Sequence, residues 1–147
     1  MKKHVVVVLD NIRSTFNVGS ILRTSDGAGV DKLYLCGITP TPDHPKIKKT
    51  ALGAEDYVKW EHHKNIIEVL VKLKKEKYTI VSVEQSDKAV DYKDFVYPNK
   101  VAFVFGNEIS GVSHYVMEDS DFIVDIEMHG KKNSLNVATT VGIILYK

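Results

Sequence analysis

Val5-Val6-Val7-Val8-Leu9 (VVVVL) is the stretch that decides the fold of this 147-residue chain. Its side chains are apolar without alternation, which predicts a strand that is buried on both faces. Such a strand belongs inside a sheet that carries helices on both sides. The apolar run stops at Asp10 and no small-residue cleavage site follows, so it is not a signal peptide.

Apolar segments alternate with helical segments along the rest of the chain. Further strands are predicted over residues 32–36, 57–60, 78–83, 101–105 and 122–126. Helices are predicted over residues 17–28, 64–77 and 134–146. This alternation is typical of an α/β fold with a mostly parallel sheet and helices on both faces.

Each predicted helix has its own signals. The helix over 17–28 begins after Ser14 or Thr15 and ends at Gly27 and Gly29. The helix over 134–146 is apolar on nearly all sides, which predicts burial against the sheet and a second subunit. The core face of the helix over 64–77 is expected to comprise Ile66, Ile67, Leu70, Val71 and Leu73.

The composition is that of an ordinary globular domain. Hydrophobic residues make up 44%, charged residues 27%, and the net charge is +1, which excludes a largely disordered chain. Cys36 is the single cysteine, so a disulfide framework and a multi-cysteine metal site are excluded, and adjacent His62 and His63 diverge too far to form a metal site. No stretch approaches the roughly 18 apolar residues of a membrane helix, so we expect a cytoplasmic protein without a membrane or metal partner.

The segments after the strands lack the usual nucleotide-binding sequences. Ligands of open α/β sheets bind beyond the carboxyl ends of the strands. Neither GxGxxG nor GxxxxGK[ST] occurs, and residues 106–111 have suitable glycine spacing without the following lysine. No acidic residue follows the strand that ends at Cys36-Gly37. These features disfavour a dinucleotide fold, a common Rossmann methyltransferase and an NTPase.

Three polar clusters occupy these positions instead. The first contains Asn17, Gly19 and Arg23, which could also be a helix cap and a surface arginine. The second, residues 106–111 (GNEISG), has glycines at both ends and could also be a strand-to-helix turn with a capping serine. The third, residues 128–136 (MHGKKNSLN), enters the last helix, with Asn133 or Ser134 as a candidate cap.

Three segments that contain these clusters resemble the SpoU branch of the SPOUT RNA methyltransferases. They are a first motif at 17–24 (NVGSILRT), a second at 104–113 (VFGNEISGVS) and a third at 126–136 (IEMHGKKNSLN). Residues 49–60 (KTALGAEDYVKW) are also similar. The resemblance implies a C-terminal trefoil knot and a homodimer with a composite active site. We expect a single domain over 1–147 without a separate RNA-recruiting domain, which is a departure from the family pattern.

The resemblance also implies a reaction, namely transfer of a methyl group from S-adenosylmethionine to a ribose 2′-hydroxyl of tRNA or rRNA. Arg23 would hold phosphate and activate the hydroxyl, and Glu108 would orient Arg23 or a motif loop. Asn17 and Asn136 would position the ribose or each other. The implied catalytic residues are Arg23, Asn17, Glu108, Ser134 and Asn136. The implied cofactor-binding residues are Phe105, Gly106, Asn107, Ile126, Met128, Ser134 and Leu135.

Two other functions stay open at this point. One is a non-catalytic RNA-binding or assembly protein that retains the knotted fold, and the other is an α/β enzyme that uses another nucleotide. The intact polar positions of the three motifs favour the methyltransferase. RNA contacts are expected from the dimer and from Arg13, Lys46, Lys48, Lys49, Lys131 and Lys132. Tyr57, Trp60 and Phe103 are expected in the core.

Overall fold

A parallel sheet of seven strands runs through the molecule. The computed structural model describes residues 3–147. The strands are β1 (His4–Asp10), β2 (Lys32–Cys36), β3 (Trp60–His63), β4 (Thr79–Val83), β5 (Val90–Asp91), β6 (Lys100–Gly106) and β7 (Phe122–Asp125). Their spatial order is β3-β2-β1-β6-β4-β7-β5, and all pairings between them are parallel.

Helices cover both faces of this sheet. They are α1 (Thr15–Ala28), α2 (Pro45–Ala51), α3 (Ile66–Lys75), α4 (His114–Asp119) and α5 (Val137–Leu145). Val7 and Leu9 of β1 belong to the core that contains the buried residues of α1, α2 and α5. Val6 and Val8 belong to the opposite core, with the buried residues of α3 and α4. The predicted α/β class and the burial of β1 on both faces are confirmed.

Local signals set the ends of α1. The Ser14 side chain accepts a hydrogen bond from the Asn17 backbone N–H at 3.1 Å, so Ser14 is the cap and the helix begins two residues before the predicted start. Gly29 ends the helix with a φ of 74°, a left-handed conformation that suits glycine. Gly27 lies inside the helix and does not end it.

The predicted bounds of the third strand and the predicted burial of Tyr57 are wrong, and two short elements were missed. The third strand lies at Trp60–His63 and not at 57–60, because pairing with β2 starts at Trp60. Tyr57 follows a short 3₁₀ turn (Ala54–Asp56) and is 79% exposed, so it is not a core residue. Trp60 is half-buried and Phe103 fully buried. The two-residue β5 and the six-residue α4 were not predicted, because such short elements leave little periodic pattern.

Two helices differ from their predicted form. In α3, Ile67 and Val71 are exposed, and Val69 takes a core position that was not predicted. In α5, Asn136 caps the helix, because its side chain accepts the N–H groups of Ala138 and Thr139 at 2.8 and 3.2 Å. Asn133 and Ser134, the predicted caps, lie outside this helix.

Residues 84–89 connect β4 to β5. Strand β7 pairs with β4 on one side and with β5 on the other, so residues 84–89 pass from one side of β7 to the other. A knotted chain needs a connection that passes across a neighbouring strand in this way. The trefoil knot itself stays a prediction. Within residues 3–147, no helix has the length and apolarity needed to cross a membrane.

Candidate active site

A cleft of about 410 Å³ opens at the carboxyl ends of β4, β6 and β7, which are neighbours in the sheet. This volume lies within the roughly 300–1,000 Å³ range of small-molecule sites. The cleft walls include all the residues predicted to bind a cofactor, which are Phe105, Gly106, Asn107, Ile126, Met128, Ser134 and Leu135. The second and third motifs therefore meet at one concave surface, although they are far apart in sequence.

The loop of the second motif, residues 106–111, is a tight turn. The Asn107 N–H donates to the Gly111 carbonyl at 3.1 Å, and the Gly111 N–H donates to the Asn107 carbonyl at 2.9 Å. A Cβ at Gly106 would lie 2.1 Å from backbone atoms of Gly111 and Val112, so a larger residue cannot fit without moving the loop. Gly111 has a φ of 73°, which favours glycine.

The strand-to-helix alternative placed a capping serine within residues 106–111. The cap position of α4 is instead Ser113, two residues beyond this loop, and Ser113 makes no cap hydrogen bond with its side chain. Its hydroxyl instead donates to the Asp10 carboxylate at 2.7 Å, and its backbone N–H donates to the same oxygen at 2.8 Å. Asp10 lies at the carboxyl end of β1 and is 1% exposed. The far end of the loop is therefore tied to the strand next to β6.

A chain of hydrogen bonds joins the three motifs. The Glu108 carboxylate accepts the backbone N–H groups of Arg13 and Ser14 at 3.0 and 2.8 Å. It also accepts the Asn17 side-chain amide at 3.2 Å. The Asn136 amide in turn donates to the Asn17 side-chain oxygen at 3.2 Å. One residue from each motif thus contributes to a single polar network, and Asn17 and Asn136 position each other.

The donors around Glu108 favour its charged form. Burial raises the pKa of this carboxyl, but the backbone N–H groups of Arg13 and Ser14 and the Asn17 amide outweigh burial, so the pKa lies below its ordinary value. Glu108 is consequently ionised at neutral pH. Glu108 was expected to orient either Arg23 or a motif loop. Its hydrogen bonds go to Arg13, Ser14 and Asn17 and not to Arg23.

We expect the stabilising effect of Glu108 to depend on pH. Because its pKa is lowered by folding, its contribution is complete above the unfolded value of about 4.3 and is lost as the pH falls through the folded value. Glu108→Gln should therefore lower the melting temperature most near pH 7, with a difference from wild type that shrinks towards pH 3. Thermal melts of both proteins across this range test this, and a difference that stays constant with pH would contradict it.

The charge of the cleft is negative. Glu84, Glu108 and Asp125 line it, and the lining residues, all within the described part of the chain, include no lysine, arginine or histidine. Burial raises the pKa of Asp125, and the nearby Asp91 and Glu127 carboxylates raise it further. Such a surface suits a ligand with positive charge and is unfavourable for a nucleotide that carries phosphates.

Apolar side chains share the cleft with amide and hydroxyl groups. Phe105, Ile126, Met128 and Val137 line the cleft, and the exposed side chains of Ile109 and Leu135 stand at it. The cleft thus offers both apolar contact area and many hydrogen-bonding groups to a small molecule. The residues therefore fit S-adenosylmethionine, which combines a flat aromatic base with hydrogen-bonding nitrogens, ribose hydroxyl groups and a positively charged sulfur.

Arg23 stands apart from this cleft. It is exposed on α1 and does not line the cleft. It follows Asn17 by six residues, which places it on a different side of the helix. Ser134 lies in the cleft wall beside Asn136. Four of the five predicted catalytic residues thus come together within the chain, and Arg23 does not join them.

Sequence reasoning missed three residues of this region. Asp10 anchors Ser113, and Glu84 and Gln85 line the cleft after β4. Their position at the end of a buried strand, or directly after it, is the signal that could have identified them, because ligand sites in parallel sheets lie at that edge. Outside the three motifs, however, their residue types carry no distinctive pattern.

Comparisons with known proteins show the family of this chain. The sequence profile of the SpoU rRNA Methylase family matches residues 4–146. The chain belongs to the SpoU family. A solved structure with a TM-score of 0.92 is the SpoU methyltransferase AviRb from Streptomyces viridochromogenes with its cofactor AdoMet. It is 25% identical, and the match covers 99% of this SpoU chain and 57% of AviRb.

Three further relatives are more similar to this chain in sequence than AviRb is. A tRNA (guanosine(18)-2′-O)-methyltransferase of Aquifex aeolicus is 32% identical over 99% of this chain and 69% of its own length. The Aquifex aeolicus TrmH/SpoU tRNA modifying enzyme, a solved structure, is 31% identical with a TM-score of 0.89 over 99% of this chain and 73% of its own. A Staphylococcus haemolyticus protein assigned to the TrmH family of tRNA/rRNA methyltransferases is 32% identical over 97% of this SpoU chain, which spans 57% of that relative.

Proposed function

We propose that this SpoU-family chain transfers a methyl group from S-adenosylmethionine to a ribose 2′-hydroxyl of tRNA or rRNA in the cytoplasm. The observation that carries the proposal is the hydrogen-bonded network of Glu108, Asn17 and Asn136 beside a negatively charged cleft. The names of the Aquifex relatives, a tRNA 2′-O-methyltransferase and a tRNA modifying enzyme, supply the class of reaction.

The cleft residues hold the cofactor in this proposal. When bound, S-adenosylmethionine supplies an electrophilic methyl group, whose bond to sulfur breaks as the ribose oxygen attacks. Phe105, Ile126, Met128 and Leu135 provide apolar contacts, and backbone groups of residues 105–107 and 134–135 provide polar ones. The carboxylates of the cleft offset the positive charge of the cofactor, which accounts for the lack of basic side chains on its walls.

Arg23 acts on the RNA in this proposal. A guanidinium remains charged in proteins and is a poor base, so Arg23 binds a phosphate next to the target ribose. That contact fixes the 2′-oxygen in line with the methyl carbon. The hydroxyl proton leaves to the phosphate or to water. Ser134 and Asn136, with Asn17 behind them, orient the ribose.

The proposal includes a homodimer with a composite active site. Arg23 lies outside the cleft of its own chain, so it needs a second copy to bring it to the reacting atoms. Phe16 on α1 is 65% exposed, and Tyr146, directly after α5, is 63% exposed. Helices α1 and α5 pack against each other. Large apolar side chains of this kind are suited to burial between two copies.

Lysines near the site give the RNA a basic surface in this proposal. Lys46, Lys48 and Lys49 are exposed on α2, and Lys131 and Lys132 are exposed in the third motif. Helix α2 packs on α1 so closely that a Cβ at Gly19 would lie 1.7 Å from the Thr50 hydroxyl. The α2 lysines therefore flank the helix that carries Arg23, where they can bind the phosphates next to the target nucleotide.

Calorimetry with S-adenosylhomocysteine tests the cofactor assignment. We expect binding at about one site per chain, because each chain forms a complete cleft. NAD and ATP serve as controls and should not bind, since their phosphates meet a negatively charged wall without a basic side chain. Binding of ATP in preference to S-adenosylhomocysteine would contradict the proposal and favour an enzyme that uses another nucleotide.

A further inference from the structure

We propose that Glu84 and Gln85 are positioning residues that hold the two cofactor loops at a fixed separation across the cleft. The inference rests on the proposed function. The two residues are adjacent in sequence, follow directly after β4 and both line the cleft. None of the three motifs contains them.

Each residue holds a different wall. The Glu84 carboxylate accepts the backbone N–H of Val112, in the second motif, at 3.0 Å. The Gln85 amide donates to the backbone carbonyl of Ile126, at the start of the third motif, at 2.8 Å. Val112 follows Gly111, which lines the cleft after β6, and Ile126 lines it after β7. Because β4 lies between β6 and β7, one short segment after β4 is bonded to both walls.

The segment itself is well anchored. The Glu84 backbone N–H donates to the Val124 carbonyl of β7 at 3.0 Å. Its other carboxylate oxygen accepts the Gln85 backbone N–H at 3.0 Å, which fixes the side chain. A Cβ at position 111 would lie 2.1 Å from the carboxylate, so the absence of a side chain at Gly111 is what lets Glu84 reach the loop. Glu84 and Gln85 are therefore held in place while they bond both loops. We call this pair of side-chain hydrogen bonds, Glu84 to Val112 and Gln85 to Ile126, the brace.

Calorimetric titration of S-adenosylhomocysteine into substituted proteins tests the brace. We expect Glu84→Ala and Gln85→Ala each to weaken binding about 10-fold, with the KM for S-adenosylmethionine raised and kcat little changed, because the walls lose their separation while the catalytic network stays intact. Glu84→Gln keeps an oxygen for the Val112 N–H and should restore affinity to within about 3-fold of wild type. Asp87→Asn, on the same connection but in neither hydrogen bond, is the matched control and should bind as wild type.

Thermal melts of the same proteins separate positioning from stability. A lower melting temperature with unchanged affinity of the folded protein would overturn the inference, because the residues would then be structural only. Glu84→Gln binding as weakly as Glu84→Ala would overturn it too, since charge and not the brace would be responsible. Wild-type protein that fails to bind S-adenosylhomocysteine would refute the proposed function, and the brace with it.

Discussion

Arg23→Ala should lower kcat for methyl transfer to RNA by at least about 100-fold and leave the affinity for S-adenosylhomocysteine unchanged. The reason is geometric, because Arg23 is outside the cleft that holds the cofactor in our proposal. Arg23→Lys should recover only part of the rate, since an ammonium cannot form the paired bonds of a guanidinium with phosphate. Single-turnover assays at saturating cofactor measure this. Full activity of Arg23→Ala would refute the proposed role.

Mixed dimers test whether Arg23 acts on the cleft of a second copy. An Arg23→Ala subunit retains an intact cleft, and a subunit that is defective in the cleft retains Arg23. If the site is composite, mixing the two inactive proteins should restore up to about a quarter of the wild-type rate, from the one complete site in each mixed dimer. A mixture that remains inactive after subunit exchange would show that Arg23 acts within its own chain or not at all.

Gly106→Ala should destroy the cofactor site. The new Cβ would lie 2.1 Å from the backbone of residues 111 and 112, which cannot swing aside as a side chain can. We expect a loss of about 1–3 kcal/mol in the free energy of unfolding and at least 10-fold weaker S-adenosylhomocysteine binding, because the loop of the second motif has to shift. Chemical denaturation and calorimetry on the same preparation measure both effects.

Gly130→Ala is the matched control for this prediction. Gly130 belongs to the third motif and is exposed, and a Cβ there would meet nothing within 4 Å. The substitution should therefore leave stability and affinity near wild type. If Gly106→Ala behaved like Gly130→Ala, the close packing of the second-motif loop would not be a requirement for cofactor binding.

The α/β class and the place of the cleft could be predicted because they follow from strong local patterns. A strand such as VVVVL has no polar face, so it can lie only inside a sheet covered on both sides. The second motif begins at the end of β6 and the third follows β7 directly, and the carboxyl ends of parallel strands share one edge. The cleft and its seven predicted wall residues lie at that edge.

Features that depend on packing between distant segments could not be predicted. Tyr57 and Val58 form an apolar pair, but the chain turns there, and the strand begins only where Trp60 can pair with Leu33 of β2. The contacts of Glu84 and Asp10 join residues 28 and 103 positions apart, so no short sequence pattern encodes them. The position of Arg23 outside the cleft also depends on the fold of the whole chain.

Methyl transfer to RNA tests the central claim most directly. Wild-type protein is incubated with S-adenosylmethionine labelled in its methyl group and with tRNA and rRNA, and the RNA is then digested to nucleosides. Our account predicts label in a 2′-O-methylated nucleoside from wild-type protein and none from Arg23→Ala. Label on a base would contradict the proposed chemistry, and no label from a folded protein that binds S-adenosylhomocysteine would favour the non-catalytic RNA-binding function instead.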